Sequence, residues 1–257
     1  MPRLPHPRTT HRNGSSKASK RRRVRSELAV AWDVIVAPRS AFAAIRERPR
    51  WLIAYLLSCA LNLIGAVLAM PASDRIAQNE IENAIVNHRS WASSPVEQQA
   101  WMARIVARNH LFEAASPVLN IMSTALLALI LWIVLAFVKG HTRYSEMFAL
   151  VANIAIVDGG LSALYFGIAV AFMTVTGLPL PQHPYDLVPN LALLAPNATP
   201  KLHAFLESFD IFGLWSIALL ALGFQIVGRV SRATAIRTAV VLFLIPVVPA
   251  AYAFARP

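Results

Sequence analysis

Between Met147 and Thr176 the chain runs for thirty residues with a single charged side chain, Asp158. As one straight helix that run measures roughly 45 Å, against a bilayer hydrocarbon core of about 30 Å. The halves on either side of Gly159-Gly160 are each too short to cross, so the run reads as one span that tilts, kinks at the glycines or protrudes. Small residues recur in it at every fourth position: Ala155, Gly159, Ala163, Gly167 and Ala171. On a helix these five stack along one face, where a neighbouring helix can approach closely.

The rest of the sequence repeats the pattern of apolar run and polar break. Hydrophobic residues make up 56% of the 257 and charged residues 14%, where a soluble domain is about a quarter charged. Four further runs are nearly free of charge: Trp51–Met70, Pro117–Val138, Phe209–Val227 and Ile236–Ala255. The fold class is therefore an all-α polytopic membrane bundle of five transmembrane helices. Only a short polar turn, residues 139–145, separates the second span from the central one, which forces an antiparallel hairpin. Residues 71–116 are too polar to span. Ser94-Pro95-Val96-Glu97 fits a helix start, and Ser116 a second one before Pro117. An extracytoplasmic helical hairpin packed over the bundle is expected there. Leu187–Leu194 is expected to form a short helix within a proline-rich loop.

Charge sets an expected orientation. If the N-terminus is cytoplasmic, residues 1–50, 139–145 and 229–237 hold 18 of the 24 Lys and Arg, and the opposite side holds 6. That bias favours N-in, C-out, in a multi-pass protein of the cell membrane, the inner one in a double-membraned bacterium. Nine of the basic residues precede Ser26, among them Arg21, Arg22, Arg23 and Arg25. Residues 1–26 read as a disordered basic tail meeting anionic lipid headgroups, and 27–257 as one membrane domain. The net charge of +11 invites a nucleic-acid reading, which the position of that tail on a membrane protein argues against. In residues 27–48, Trp32 and Phe42 are expected to dip into the headgroups from two short interfacial helices. The alternative is helices packed on the protein itself.

Catalytic and cofactor signals are not found. Cys59 is the sole cysteine, the seven histidines are scattered, and no phosphate loop, nucleophile elbow or zinc motif occurs. No catalytic, cofactor or metal residues are assigned. Asp158 is the one intramembrane acid, and such residues face a bundle interior or water. Counted from the span ends, Asn62 shares its depth and Ser123 and Thr124 lie near it, giving a candidate polar cluster. Such a cluster serves either a proton- or ion-sensitive site or helix register alone. Glu207 and Asp210 are expected to meet the positive end of the fourth span.

The order of short motifs resembles the bacterial branch of the Yip (Ypt-interacting-protein-like) domain family of five-span membrane proteins. These are Trp32-Asp33, Pro38-Arg39-Ser40-Ala41-Phe42, Pro49-Arg50-Trp51, Lys139-Gly140, Glu146-Met147-Phe148 and Phe209-Asp210-Ile211-Phe212-Gly213-Leu214-Trp215. Eukaryotic relatives associate with one another and with small prenylated GTPases. Their Asp-Leu-Tyr-Gly-Pro motif is replaced here by Asp33-Val34-Ile35-Val36-Ala37-Pro38, so the GTPase role is not carried over. The small-residue ladders, the interfacial basic N-terminus and the absence of catalytic sets favour a non-catalytic membrane protein of this type that binds partners, itself included, or organises membrane. The alternative is a small transporter or channel component built on Asp158 and Asn62.

Overall fold

The computed structural model describes residues 26–87, 95–179, 187–195 and 197–253. The basic tail with Arg21, Arg22, Arg23 and Arg25, and Ser94 of the expected helix start, lie outside the described residues. Every regular element among those described is helical.

Two short helices come first, α1 (Glu27–Val36) and α2 (Pro38–Glu47). Ser26 caps α1 by accepting the Ala29 amide at 3.2 Å, and Pro38 supplies the preset φ of the first turn of α2. Phe42 and Ile45 are wholly buried, in a cluster that includes Met147, Leu150 and Phe224. The expectation that Phe42 dips into headgroups is thus corrected. Its ring fills the core, while Trp32 stays 62% exposed.

Helix α3 (Leu52–Asn87) runs straight through Pro71, and α4 (Pro95–Phe137) straight through Pro117. The expected breaks at Pro71 and at Ser116 are absent. A proline removes one backbone hydrogen bond, that to the carbonyl four residues before it, and α3 and α4 both continue past that loss. At Pro117 the carbonyl accepts the Tyr55 hydroxyl at 2.5 Å.

The central run is continuous from Tyr144 to Thr176 in three pieces. Helix α5 (Tyr144–Ala155) passes into a π-helical turn (Ile156–Leu161) and then into α6 (Ser162–Thr176). Glycine in a helix gives up backbone entropy and side-chain packing, so Gly159-Gly160 is a natural place for the α register to loosen. Gly177, at φ 71°, ends the helix in the left-handed region.

A 3-10 turn (Leu191–Leu194), shorter than the expected helix, precedes α7 (Pro200–Glu207), α8 (Ile211–Ile226) and α9 (Arg232–Ala253). Among the described residues, three stretches are long and apolar enough to cross a membrane: Leu52–Met70, Ala115–Phe137 and Tyr144–Thr176; Ile211–Ile226 is apolar but shorter. Outward-facing Leu56, Leu63, Ile64 and Val67 on α3, and Leu126, Ile130 and Ile133 on α4, are exposed. In a chain whose apolar helices turn such residues outward, the surrounding solvent is lipid.

The tightest packing is α3 against α6. A methyl group placed on Gly167 would lie 2.3 Å from the Gly65 carbonyl oxygen, and one on Gly65 would lie 2.3 Å from that of Ala163. At Gly159 the nearest atom is the Ser58 hydroxyl, at an ordinary 3.7 Å. Gly167→Leu is therefore expected to destabilise the protein by about 3 kcal/mol or more, and Gly159→Ala by less than about 1 kcal/mol. Thermal unfolding of both variants in the same detergent checks this contrast.

Candidate functional site

The π turn widens the helix by one residue, so its amides reach five residues back, as Ser162 does to Val157. Side chains of α3 donate to two carbonyls at this turn. Ser58 donates its hydroxyl to the Ala155 carbonyl at 2.9 Å, and Asn62 Nδ2 donates to that of Gly159 at 3.3 Å. Gly160 is buried against Leu61 and Ser58. One turn earlier, buried Asn153 donates to the carbonyls of Arg50 at 3.0 Å and Ala149 at 2.8 Å. Asn153 had not been singled out in the sequence. An asparagine within the otherwise apolar run Met147–Val157 is the available signal.

Asp158 sits on this turn. It is exposed, and among the described residues it makes no hydrogen bond. Asp210 lies within its electrostatic reach. That second acid is the N-cap of α8, where its Oδ1 accepts the amides of Phe212 and Gly213, each at 2.8 Å. The segment before it folds back to meet it. Leu191 donates to the Phe209 carbonyl at 3.2 Å, Ile211 donates to that of Pro189 at 3.1 Å, and Phe212 contacts Tyr165 of α6 at 5.7 Å. Charge counting found Asp210 as a helix-terminal acid but not its proximity to Asp158, which depends on this folded-back loop. Glu207 instead closes α7 and lies 3.0 Å from His203 Nδ1.

The four polar residues matched by depth do not all meet. Asn62 comes to the turn that carries Asp158. Ser123 and Thr124 bond within α4, to the Asn120 carbonyl at 2.9 Å and the Asn120 side chain at 3.3 Å. The cause is a slide of α4 along α3. Pro117 rests at Tyr55, near the start of α3, and Ala125 accepts the hydroxyl of Tyr144, the first residue of α5. Ser123 and Thr124 are thereby carried toward the other end of the bundle from Asp158.

No group of three or more His, Cys, Asp or Glu side chains able to hold a metal occurs among the described residues. What remains is an uncommitted carboxylate beside a helix-capping one, on a turn held by two α3 side chains.

Comparison with known proteins agrees with the motif order. The Yip1 domain family matches residues 32–254. A protein named membrane protein YknW, from Bacillus subtilis (strain 168), is 28% identical over 215 residues, covering 84% of this chain and 85% of that protein. No solved structure matches.

The geometry separates two roles on the turn. Ser58→Ala removes a donor from a carbonyl of the broken register and is expected to lower stability by about 1 kcal/mol. Asp158→Asn, with no bond to lose, is expected to leave it unchanged. Chemical or thermal unfolding of the two variants in micelles distinguishes them. Asp210→Ala, which removes a cap, is expected to cost about 1 kcal/mol in the same measurement.

Proposed function

This chain belongs to the Yip1 domain family, and we propose that it acts as a non-catalytic multi-pass protein of the cell membrane that binds partners or organises the bilayer. Five spans are proposed: the apolar part of α3, that of α4, the central α5–α6 run, α8 and α9. The N-in, C-out orientation follows from the excess of Lys and Arg in residues 1–50, 139–145 and 229–237. Anionic headgroups at Arg21, Arg22, Arg23 and Arg25 and other membrane proteins, including further copies of the chain, are the proposed partners.

The observation that carries this reading is the closed seam between α3 and the central helix. Ser58, Leu61 and Asn62 fill the space around the π turn, and Gly65 and Gly167 meet backbone to backbone. A packed centre suits a scaffold better than a conduit.

One observation favours the second reading, a transporter or channel component. Asp158 is exposed, makes no hydrogen bond among the described residues, and lies near Asp210. Two experiments separate the readings. Affinity purification in mild detergent is expected to retain specific membrane proteins. In proteoliposomes, proton or cation flux is expected to be no greater than in empty vesicles and unaltered by Asp158→Asn. Flux that depends on Asp158, with no retained partner, would reverse the ranking.

A further inference from the structure

At the end of the bundle where α2 and α4 finish and α5 begins lies a cavity of about 650 Å³. Two turns form much of its wall, residues 138–143 between α4 and α5 and 227–231 between α8 and α9. They are tied together by the His141 amide, which donates to the Gly228 carbonyl at 3.2 Å. Both turns carry a cationic residue in the left-handed region, Lys139 at φ 59° and Arg229 at φ 56°. That conformation is uncommon for side chains of this kind, and here it belongs to tight helix-ending turns. Gly140 fits the junction because a methyl there would come within 3.0 Å of the Gly228 and Leu135 carbonyl oxygens.

The lining brings together three guanidinium groups from distant parts of the chain: Arg46 of α2, Arg143 before α5 and Arg229 after α8, with His141 beside them. All three arginines are exposed, and none has an ion-pair partner among the described residues. Two carboxylates also line the cavity. Glu146 is 7% exposed, and its Oε2 accepts the Thr142 hydroxyl at 2.8 Å and the Arg143 amide at 3.1 Å. It therefore serves the start of α5. Glu47 is likewise engaged. The uncommitted charge facing the cavity is positive.

The neighbourhood is amphipathic. Trp132, also in the lining, donates its indole N–H to the Thr142 carbonyl at 3.1 Å and stays 38% exposed. Next to it on α4, Ile133 and Phe137 turn outward, Phe137 83% exposed. A polar, arginine-lined hollow against lipid-facing apolar side chains matches a phospholipid in both halves: phosphate in the hollow, acyl chains along α4. Planar guanidinium groups suit phosphate because they donate in a fixed fork.

From this we propose that the cavity between the α4–α5 and α8–α9 turns binds an anionic phosphoryl group, presented by a phospholipid headgroup. The site is distinct from the basic tail and stands whether or not the scaffold reading does.

The test uses the full chain in nanodiscs of phosphatidylcholine alone or mixed with phosphatidylglycerol, with bound lipid counted by native mass spectrometry. A parallel arm titrates inorganic phosphate and follows thermal stability. Phosphatidylglycerol is expected to be retained in preference to phosphatidylcholine. Arg46→Gln combined with Arg143→Gln is expected to weaken it roughly 30-fold, at about fivefold per arginine near a membrane surface. Arg232→Gln, which lines a different groove against α8, is expected to leave retention unchanged. Circular dichroism and gel filtration confirm that the double variant is folded. A phosphate response lost in the double variant, without lipid preference, keeps the phosphoryl site and refutes its lipid source. A folded double variant that binds both probes like the parent chain overturns the proposal.

Discussion

Two backbones in contact, at Gly65 of α3 and Gly167 of α6, set where the other helices of this protein can lie. In lipid, apolar helices gain nothing from hiding apolar surface, so association rests on close packing and interhelical hydrogen bonds. The α3 seam uses both. Glycines let the axes approach at one level, and a turn or two away Ser58 and Asn62 donate to the carbonyls of Ala155 and Gly159 at the π turn. At the start of α3, Asn153 holds the Arg50 carbonyl, and Glu27 of α1 accepts the Ile53 amide at 3.4 Å. A helix pair fixed at three levels has little freedom of register.

The remaining elements divide around that pair. On one end, α1 and α2 press Val34, Phe42 and Ile45 onto α5 and α8, and the same end carries the arginine-lined hollow. Trp51 meets Phe148 edge to face there and Phe148 meets Tyr144 at a tilt, with ring centres 5.1 Å and 6.2 Å apart. On the other side of the π turn, the loop before α8 folds back to place Asp210 near Asp158.

Much of this was legible from residue types. The three long spans fall within a few residues of their expected limits because a charge-free run of that length has few other uses. The order of short motifs pointed to the family for which residues 32–254 match. What failed to show were relations between helices. Pro71 and Pro117 read as boundaries, yet α3 and α4 pass through them, each giving up one backbone hydrogen bond. Depth counting assumed that the end of the second span lies level with the start of the first; the slide of α4 along α3 removed Ser123 and Thr124 from the Asp158 neighbourhood. The four-residue ladder treated Gly159 and Gly167 alike, but the inserted π residue rotates one relative to the other. Phe42 read as an interfacial aromatic because burial by α5 and α8 is not written in α2.

The seam and its π turn can be tested by a cross-link in native membranes. An ideal Cβ on Gly160 lies 3.3 Å from the Cβ of Leu61, close to the separation that a disulfide spans. With Cys59 replaced by serine, the pair Leu61→Cys and Gly160→Cys should oxidise rapidly to an intramolecular disulfide, read as a reduction-sensitive mobility shift. The pair Leu63→Cys and Gly160→Cys, with Leu63 on the 52% exposed face, should not. Equal cross-linking of both pairs, or none of the first, would contradict the account of α3 locked against the turn.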